Sequence, residues 1–175
     1  MSGLIIPELL NNYNVYNDAA KKLIGVSGEV ELPDFEAITE TLEGAGVMGE
    51  IEDAATGQFA AMSIKIPFSV LYEDMFTLVN PAKGTQVTLR GSMQVMDPTT
   101  AATDYQPVKV VIRGKCKKHS SGKMVKGKKM DASVELEILY IKIEVNNKSV
   151  IELDKLNFKY CVNGEDLLKK IRSQC

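Results

Sequence analysis

The chain has 175 residues, of which 45% are hydrophobic and 25% are charged, and its formal net charge at pH 7 is −2. These values predict one globular domain over residues 1–175. They exclude a disordered or fibrous chain and a protein that binds nucleic acid through its total charge. The three cysteines fit a reducing compartment, and the N-terminal segment lacks the basic residues and cleavage site of a signal peptide. We therefore expect synthesis in the cytoplasm and no membrane binding.

Charge is unevenly distributed along the sequence. Residues 1–60 are rich in Asp and Glu and contain only Lys21 and Lys22 as bases, whereas residues 109–129 contain eight Lys, one Arg and no acid. This asymmetry predicts separate acidic and basic surfaces, which could guide packing between copies of the chain.

The first half of the chain predicts strands followed by a helix. Strands are expected at 26–32 and 35–43, on either side of the turn-prone pair Pro33-Asp34, and at 57–66. The apolar residues of segment 67–80 fall at helical spacing, Pro67 suits a helix start, and Asn80-Pro81 would end the helix. We therefore predict one packed α-helix at about 67–80.

The second half predicts longer strands and a short C-terminal helix. Strands are expected at 85–96, 106–117, 129–145 and 149–161, with a hairpin turn at Asn146-Asn147 and a bulge or bend at Asp154-Lys155. Segment 165–175 has the pattern of a short amphipathic helix. The fold class is therefore mainly β, a barrel or sandwich whose long strands would leave open edges unless neighbouring subunits paired with them.

Motifs that could carry chemistry do not add up to an active site. Gly44-Ala45-Gly46-Val47-Met48-Gly49 matches G-x-G-x-x-G, but the residues that follow are acidic and lack an apolar helical face, so we predict a flexible turn and no cofactor. Cys116 and His119 form C-x-x-H without a second pair of ligands, so no metal site is expected. A lone histidine on a polar loop also gives no basis for a catalytic triad, and we predict that the chain is not an enzyme.

The lysine-rich stretch at the end of the predicted strand 106–117 and just beyond it has two interpretations. It could contact phosphates without sequence specificity, although it lacks the aromatic residues that stack on bases. Alternatively, it forms a solvated tip that meets an acidic protein surface. The candidate residues of this basic contact tip are Lys117, Lys118, Lys123, Lys126, Lys128 and Lys129.

The order of several motifs resembles a known family. Leu32-Pro33, the GAG-x-x-G turn after an acidic strand, the V-x-x-RG-x strand from Val110 to Lys115, and a terminal run from Asp154 to Leu168 occur in that order. In the order of these motifs the chain resembles the major tail tube proteins of contractile-tailed bacteriophages and the inner tubes of R-type bacteriocins. The resemblance covers nearly the full length.

The resemblance implies a structural subunit of hexameric rings, stacked into a tube whose lumen conducts DNA in a phage or ions in a bacteriocin. It implies synthesis in the bacterial cytoplasm and incorporation into the tail of the virion or the bacteriocin particle. The implied partners are further copies of the chain, the tail sheath, baseplate and tail-terminator proteins, and DNA only in transit. The alternatives are a hexameric ring or tube protein of a secretion system and a small β-rich binding module.

Two further groups of residues are candidates for assembly contacts or for the lumen wall. Acids that face a lumen would repel DNA, and the same acids could instead form ring-to-ring ion pairs with the lysine-rich stretch. The candidate lumen or ring-interface acids are Glu29, Glu31, Glu36, Glu40 and Glu43, and the candidate inter-ring loop contains Gly44, Ala45, Gly46 and Gly49.

Overall fold

A computed structural model describes residues 3–26 and 28–175 of the chain. The described part is mainly β, with a 3-10 helix at Glu73–Leu78 and a short C-terminal α-helix, α1, at Lys169–Gln174. The strands are β1 (Ile6–Tyr16), β2 (Ala37–Leu42), β3 (Ile51–Phe59), β4 (Ser63–Phe68), β5 (Thr85–Met96), β6 (Thr103–Ser120), β7 (Ala132–Val145), β8 (Lys148–Asp154), β9 (Lys159–Val162) and β10 (Glu165–Asp166).

Most strands belong to one antiparallel sheet in the order β1-β5-β6-β7-β8-β9-β10. One edge of β7 pairs with β6, and the other edge pairs with β4 near its start and with β8 near its end. The remaining strands, β2 and β3, form a separate two-stranded sheet. The sheets are sandwich-like and do not close into a barrel, so the mainly β prediction is confirmed in its sandwich form.

Alternating side chains of the main sheet build the core. Successive residues of a strand point to opposite faces, and one face of β4 to β7 is mostly apolar. Met75 and Leu78 of the 3-10 helix lie against this face and are fully buried. The buried side chains of the face include Ile64, Ile66, Phe68, Val87, Ile112, Val134, Leu136 and Ile138.

The predicted α-helix at 67–80 is much shorter and of a different type. Pro67 and Phe68 end strand β4, where they pair with Ser133 and Ala132, and only Glu73–Leu78 is helical. Most apolar residues of the predicted helix face do reach the core, but Phe76 is 48% exposed. Phe68 reaches it as the last inward-facing residue of a strand, because pairing with β7 outweighs the local helical spacing.

Strand boundaries also differ from prediction in the first third of the chain. The predicted strand 26–32 makes only isolated bridges, from Val26 to Phe68 and from Glu31 to Lys65, and Ser27 lies outside the described residues. The predicted strand 57–66 is divided between β3 and β4. Strand β1 was not predicted at all.

The C-terminal half agrees more closely with prediction. Strand β5 has the predicted bounds of 85–96, and β6 and β7 lie where strands were expected. Asn146 and Asn147 form the predicted hairpin turn with positive φ angles of 50° and 60°. The predicted strand 149–161 turns back on itself after Asp154 and becomes the β8–β9 hairpin. Helix α1 confirms the predicted C-terminal helix.

Candidate assembly surfaces

The two-stranded sheet of β2 and β3 forms an exposed hairpin, here called the β2–β3 hairpin (residues 37–59). Near its tip Leu42 lies directly opposite Ile51, and their side chains are 48% and 52% exposed. Two residues further along each strand, and therefore on the same face, Glu40 lies opposite Asp53. Like charges directly opposite each other destabilise a strand pair. The hairpin thus carries an apolar pair and a repelling acid pair, both turned to solvent.

Aromatic packing fixes the base of the β2–β3 hairpin to the main sheet. The Phe59 ring makes edge contacts with Phe35 at 5.6 Å and with Tyr160 at 5.0 Å between ring centroids. Gly57 has a φ of +73°, and a Cβ at this position would lie 2.7 Å from Cδ1 of the buried Leu168. The close approach of a glycine backbone therefore seats the base of the hairpin against the C-terminal region.

The glycine-rich segment forms the tip of the β2–β3 hairpin. Gly44, Gly46 and Gly49 have φ angles of +135°, +92° and +96°, and Ala45 lies between the first two. A Cβ added at any of the three glycines meets no atom within 4 Å, so their role is to allow the turn and not to admit a close neighbour. Strand β3 follows where a dinucleotide site needs a helix. The predicted turn is confirmed.

The structure distributes the five candidate acids over different surfaces, and all five are exposed. Glu31 and Glu36 line a surface groove of about 520 Å³, together with Asp34 and Glu135, and Lys65 is the single base in its wall. Glu29 lies near Tyr13, whose pKa is raised by burial of the ring and, to a smaller extent, by the Glu29 charge.

The other two candidate acids belong to the β2–β3 hairpin. Glu40 lies in β2, and Glu43 follows the strand at the start of the tip. The candidate acids therefore do not form one continuous wall within a single subunit.

The lysine-rich loop (residues 121–131) connects β6 to β7. Met124 and Val125 near its middle are 85% and 44% exposed. The N–H of Met130 donates to the Ser69 carbonyl (2.7 Å), so the base of the loop is held beside the end of β4. The structure places the candidate basic residues Lys117 and Lys118 in β6 and Lys123, Lys126, Lys128 and Lys129 in the loop.

Two of the candidate lysines have acidic partners within the chain. Lys117 Nζ lies 3.6 Å from Oε2 of Glu137, and Lys123 Nζ lies 3.7 Å from Oδ2 of Asp131. Within residues 3–26 and 28–175, Lys126 and the other candidate lysines form no ion pair. Most of the positive charge on this end of the molecule is therefore available to a partner.

Strand β1 adds an apolar surface that the sequence analysis missed. Its free edge is the outer edge of the main sheet, and register shifts near Glu8 and Asn11 interrupt its pairing with β5. These irregularities break the alternation by which a strand is usually found in a sequence. The exposed apolar side chains here are Leu4, Ile5, Ile6, Leu9 and Leu10.

The polar face of the main sheet carries charges that are paired within the chain. Oε1 of Glu144 lies 2.9 Å from Nζ of Lys142, and its Oε2 lies 3.5 Å from Nζ of Lys109. The hydrogen bond from Lys142 is the main reason that the pKa of Glu144 lies below its usual range. The Arg113 guanidinium lies 4.3 Å from the centroid of the Tyr140 ring. These contacts give the face a defined arrangement of charges.

The C-x-x-H residues are not arranged as ligands. His119 lies at the end of β6, and its ring contacts Phe76 at 5.5 Å between centroids. The described residues contain no group of three His, Cys, Asp or Glu side chains placed to hold a metal ion. Among the same residues, no helix is both long enough and apolar enough to cross a membrane.

Comparison with known proteins identifies the family. The model of the family described as "Phage tail tube protein FII" matches residues 7–175. The chain is also similar to the tail tube protein of Escherichia phage P2, with 25% identity over 155 residues, which cover 85% of this chain and 86% of that protein. The resemblance seen in the motifs is therefore confirmed over nearly the full length, and the chain belongs to the phage tail tube protein FII family.

Proposed function

We propose that the chain is the structural subunit of the inner tube of a contractile tail. Residues 1–175 form one tail-tube domain, six copies make a ring, and rings stack around a lumen that conducts DNA in a phage or ions in a bacteriocin particle. The observation that carries this proposal is the family match together with the β2–β3 hairpin, whose exposed apolar and acidic pairs have no partner within the described part of the chain.

The distribution of exposed surfaces supports assembly from identical copies. Apolar side chains are exposed on β1, on the β2–β3 hairpin and on the lysine-rich loop, which are separate parts of the surface. Contacts between different surfaces of identical subunits close into rings when the rotation allows, and propagate when it does not. A subunit with several different exposed apolar surfaces suits both ring closure and stacking.

The proposed role is mechanical and not catalytic. The partners are further copies of the chain, the sheath that surrounds the tube, and the baseplate and terminator proteins at its two ends, with DNA present only in passage. The chain would be made in the bacterial cytoplasm and then become part of the tail.

We assign Glu29, Glu31 and Glu36 to the lumen or to the ring interface, and Glu40 and Glu43 to contacts of the hairpin. Acids on a lumen wall would repel DNA and so reduce its adhesion during passage. Replacing Glu31 and Glu36 with lysine should then leave tubes intact and slow DNA delivery by the particle. Unchanged delivery from intact tubes would refute wall repulsion.

Negative-stain electron microscopy of the purified protein tests the proposal directly. The expected result is hollow filaments of uniform width, or stacked rings with sixfold symmetry in end views, as the protein concentration is raised. Mass spectrometry of purified tail particles provides the second measurement, because a tube subunit must be abundant in them. A protein that stays monomeric and is absent from the particles would overturn the proposal.

A further inference from the structure

We propose that the lysine-rich loop of one copy docks on the face of the β2–β3 hairpin that carries Glu40, Leu42, Ile51 and Asp53 in a second copy. This inference deepens the proposed function and rests on it, because it names the two surfaces that meet when subunits assemble. Within the described part of a single copy, no positive group compensates the repulsion between Glu40 and Asp53.

The hairpin face needs a cation from outside the chain. Glu40 and Asp53 are direct neighbours across the two strands and share one exposed face. None of the ion pairs found among the described residues involves either carboxylate. A positive group between the two carboxylates would turn their repulsion into attraction.

The same face needs an apolar cover beside that cation. Leu42 and Ile51 are about half exposed and directly adjacent to the acid pair. Protein interfaces combine an apolar centre, which is removed from water, with a polar or charged rim. The hairpin face has this arrangement with a negative rim.

The lysine-rich loop has the complementary arrangement. Its exposed apolar pair, Met124 and Val125, lies directly between Lys123 and Lys126, and Lys128 follows closely. Both surfaces therefore place an apolar pair next to charge, with opposite signs. Methionine adapts its shape readily to an apolar partner, which suits a flexible contact of this kind.

The contact must join two copies of the chain. The base of the hairpin precedes Ser63, at one end of β4, whereas the base of the loop lies beside Ser69, just beyond the other end. Six residues of strand span roughly 17–20 Å at about 3.3 Å per residue. A surface at one end of β4 that fits a surface at the other end produces a head-to-tail contact, which closes into a ring or propagates along an assembly according to the rotation between the copies.

Paired charge reversals test this contact. The hairpin variant is Glu40→Lys with Asp53→Lys, and the loop variant is Lys126→Glu with Lys128→Glu. Each variant alone presents two surfaces of the same sign, so we expect the concentration at which it assembles to rise about tenfold or more. In an equimolar mixture each positive surface meets a negative one, and assembly should return toward the wild-type concentration.

Matched controls reverse the same number of charges elsewhere on the exposed surface. Asp104→Lys with Glu165→Lys is the control for the hairpin variant, and Lys148→Glu with Lys170→Glu is the control for the loop variant. Circular dichroism establishes that each variant has folded. The controls should assemble as the wild type does, and mixing them should change nothing.

Electron microscopy counts tubes, and sedimentation velocity detects smaller complexes. Folded hairpin and loop variants that assemble like the wild type would overturn the proposed contact while leaving the tube function standing. Failure of the mixture to recover would overturn it as well. Heteromeric complexes in the mixture without tubes in any sample would support the contact and refute the tube. A loop variant that assembles normally but delivers DNA poorly would assign the loop to nucleic acid and refute the contact.

Discussion

Gly114 lies where two strands of the core sheet come too close for any side chain. It is buried in β6, next to a register shift in the pairing with β7, and faces Ile138. A Cβ placed there would lie 1.9 Å from the backbone carbonyl oxygen of Glu137, where ordinary contact begins at 3.4 Å. Gly114→Ala must therefore move the strands apart by about 1.5 Å.

The cost of this displacement can be estimated from the contacts that it disturbs. Overpacking in a core costs about 1–3 kcal/mol, and each buried backbone group that loses its hydrogen bond adds about 1–3 kcal/mol. Replacing glycine also reduces the entropy of the unfolded chain, which returns about 0.4–1 kcal/mol. We expect Gly114→Ala to lower the free energy of unfolding by about 1–5 kcal/mol.

Gly84→Ala is the matched control, because the nearest atom to its added Cβ is the Gly114 carbonyl oxygen at 3.8 Å. Its unfolding free energy should stay within about 0.5 kcal/mol of the wild type. Urea unfolding measures both variants by circular dichroism or by tyrosine fluorescence, since the chain has 6 Tyr and no Trp. A loss below about 1 kcal/mol for Gly114→Ala would refute the steric argument.

Three further changes test other parts of the structure. The pKa of Glu144 is lowered in the folded chain by Lys142 and Lys109, so its contribution to stability is present above its unfolded pKa of about 4.3 and is lost as the pH falls through the folded pKa. Glu144→Gln should flatten the acid limb of the stability profile and cost less than about 1 kcal/mol at pH 7. Phe59→Ala should cost about 2–3 kcal/mol and expose the β2–β3 hairpin to proteases, because its ring anchors the base. Asn147→Val should cost about 1–2 kcal/mol, because its φ of +60° is strained for a β-branched residue, whereas Asn147→Gly should be neutral or stabilising.

Each of these expectations has an outcome that contradicts it. An unfolding free energy of Glu144→Gln with the full wild-type dependence on pH would show that the Lys142 contact does not bias titration. Equal protease sensitivity of the hairpin before and after Phe59→Ala would show that the base is held by other contacts. A stable Asn147→Val variant would mean that the turn relaxes to another geometry without loss.

The strands from β5 to β7 were predictable because one face of each is buried and the other is polar. Val134, Leu136 and Ile138 alternate with partly exposed residues, and this period of two is readable without any knowledge of the partner strand. The predicted helix at 67–80 was wrong because Phe68 ends an alternating strand, whereas Met75 lies in a short 3-10 helix that begins at Glu73. Phe68 and Met75 fall at helical spacing in the sequence, and only the pairing of β4 with β7 shows that they belong to different elements.

The hairpin surface was only partly predictable. Its glycine-rich tip follows from residues that tolerate positive φ angles, and the sequence analysis placed the inter-ring loop there. The pairing of Glu40 with Asp53 could not be predicted from the sequence, because the pairing of the two strands is irregular after Ala37. A one-residue change in register would place different side chains opposite each other, and the residue types of this polar hairpin do not select one register.

The contacts of Phe59 with Tyr160, and of Gly57 with Leu168, make the final orientation of the β2–β3 hairpin depend on residues that are synthesised after it. The hairpin leaves the ribosome well before the residues that orient it, while β5 to β9 are consecutive antiparallel strands that can fold as a local meander. An incomplete chain therefore carries the hairpin without its final orientation.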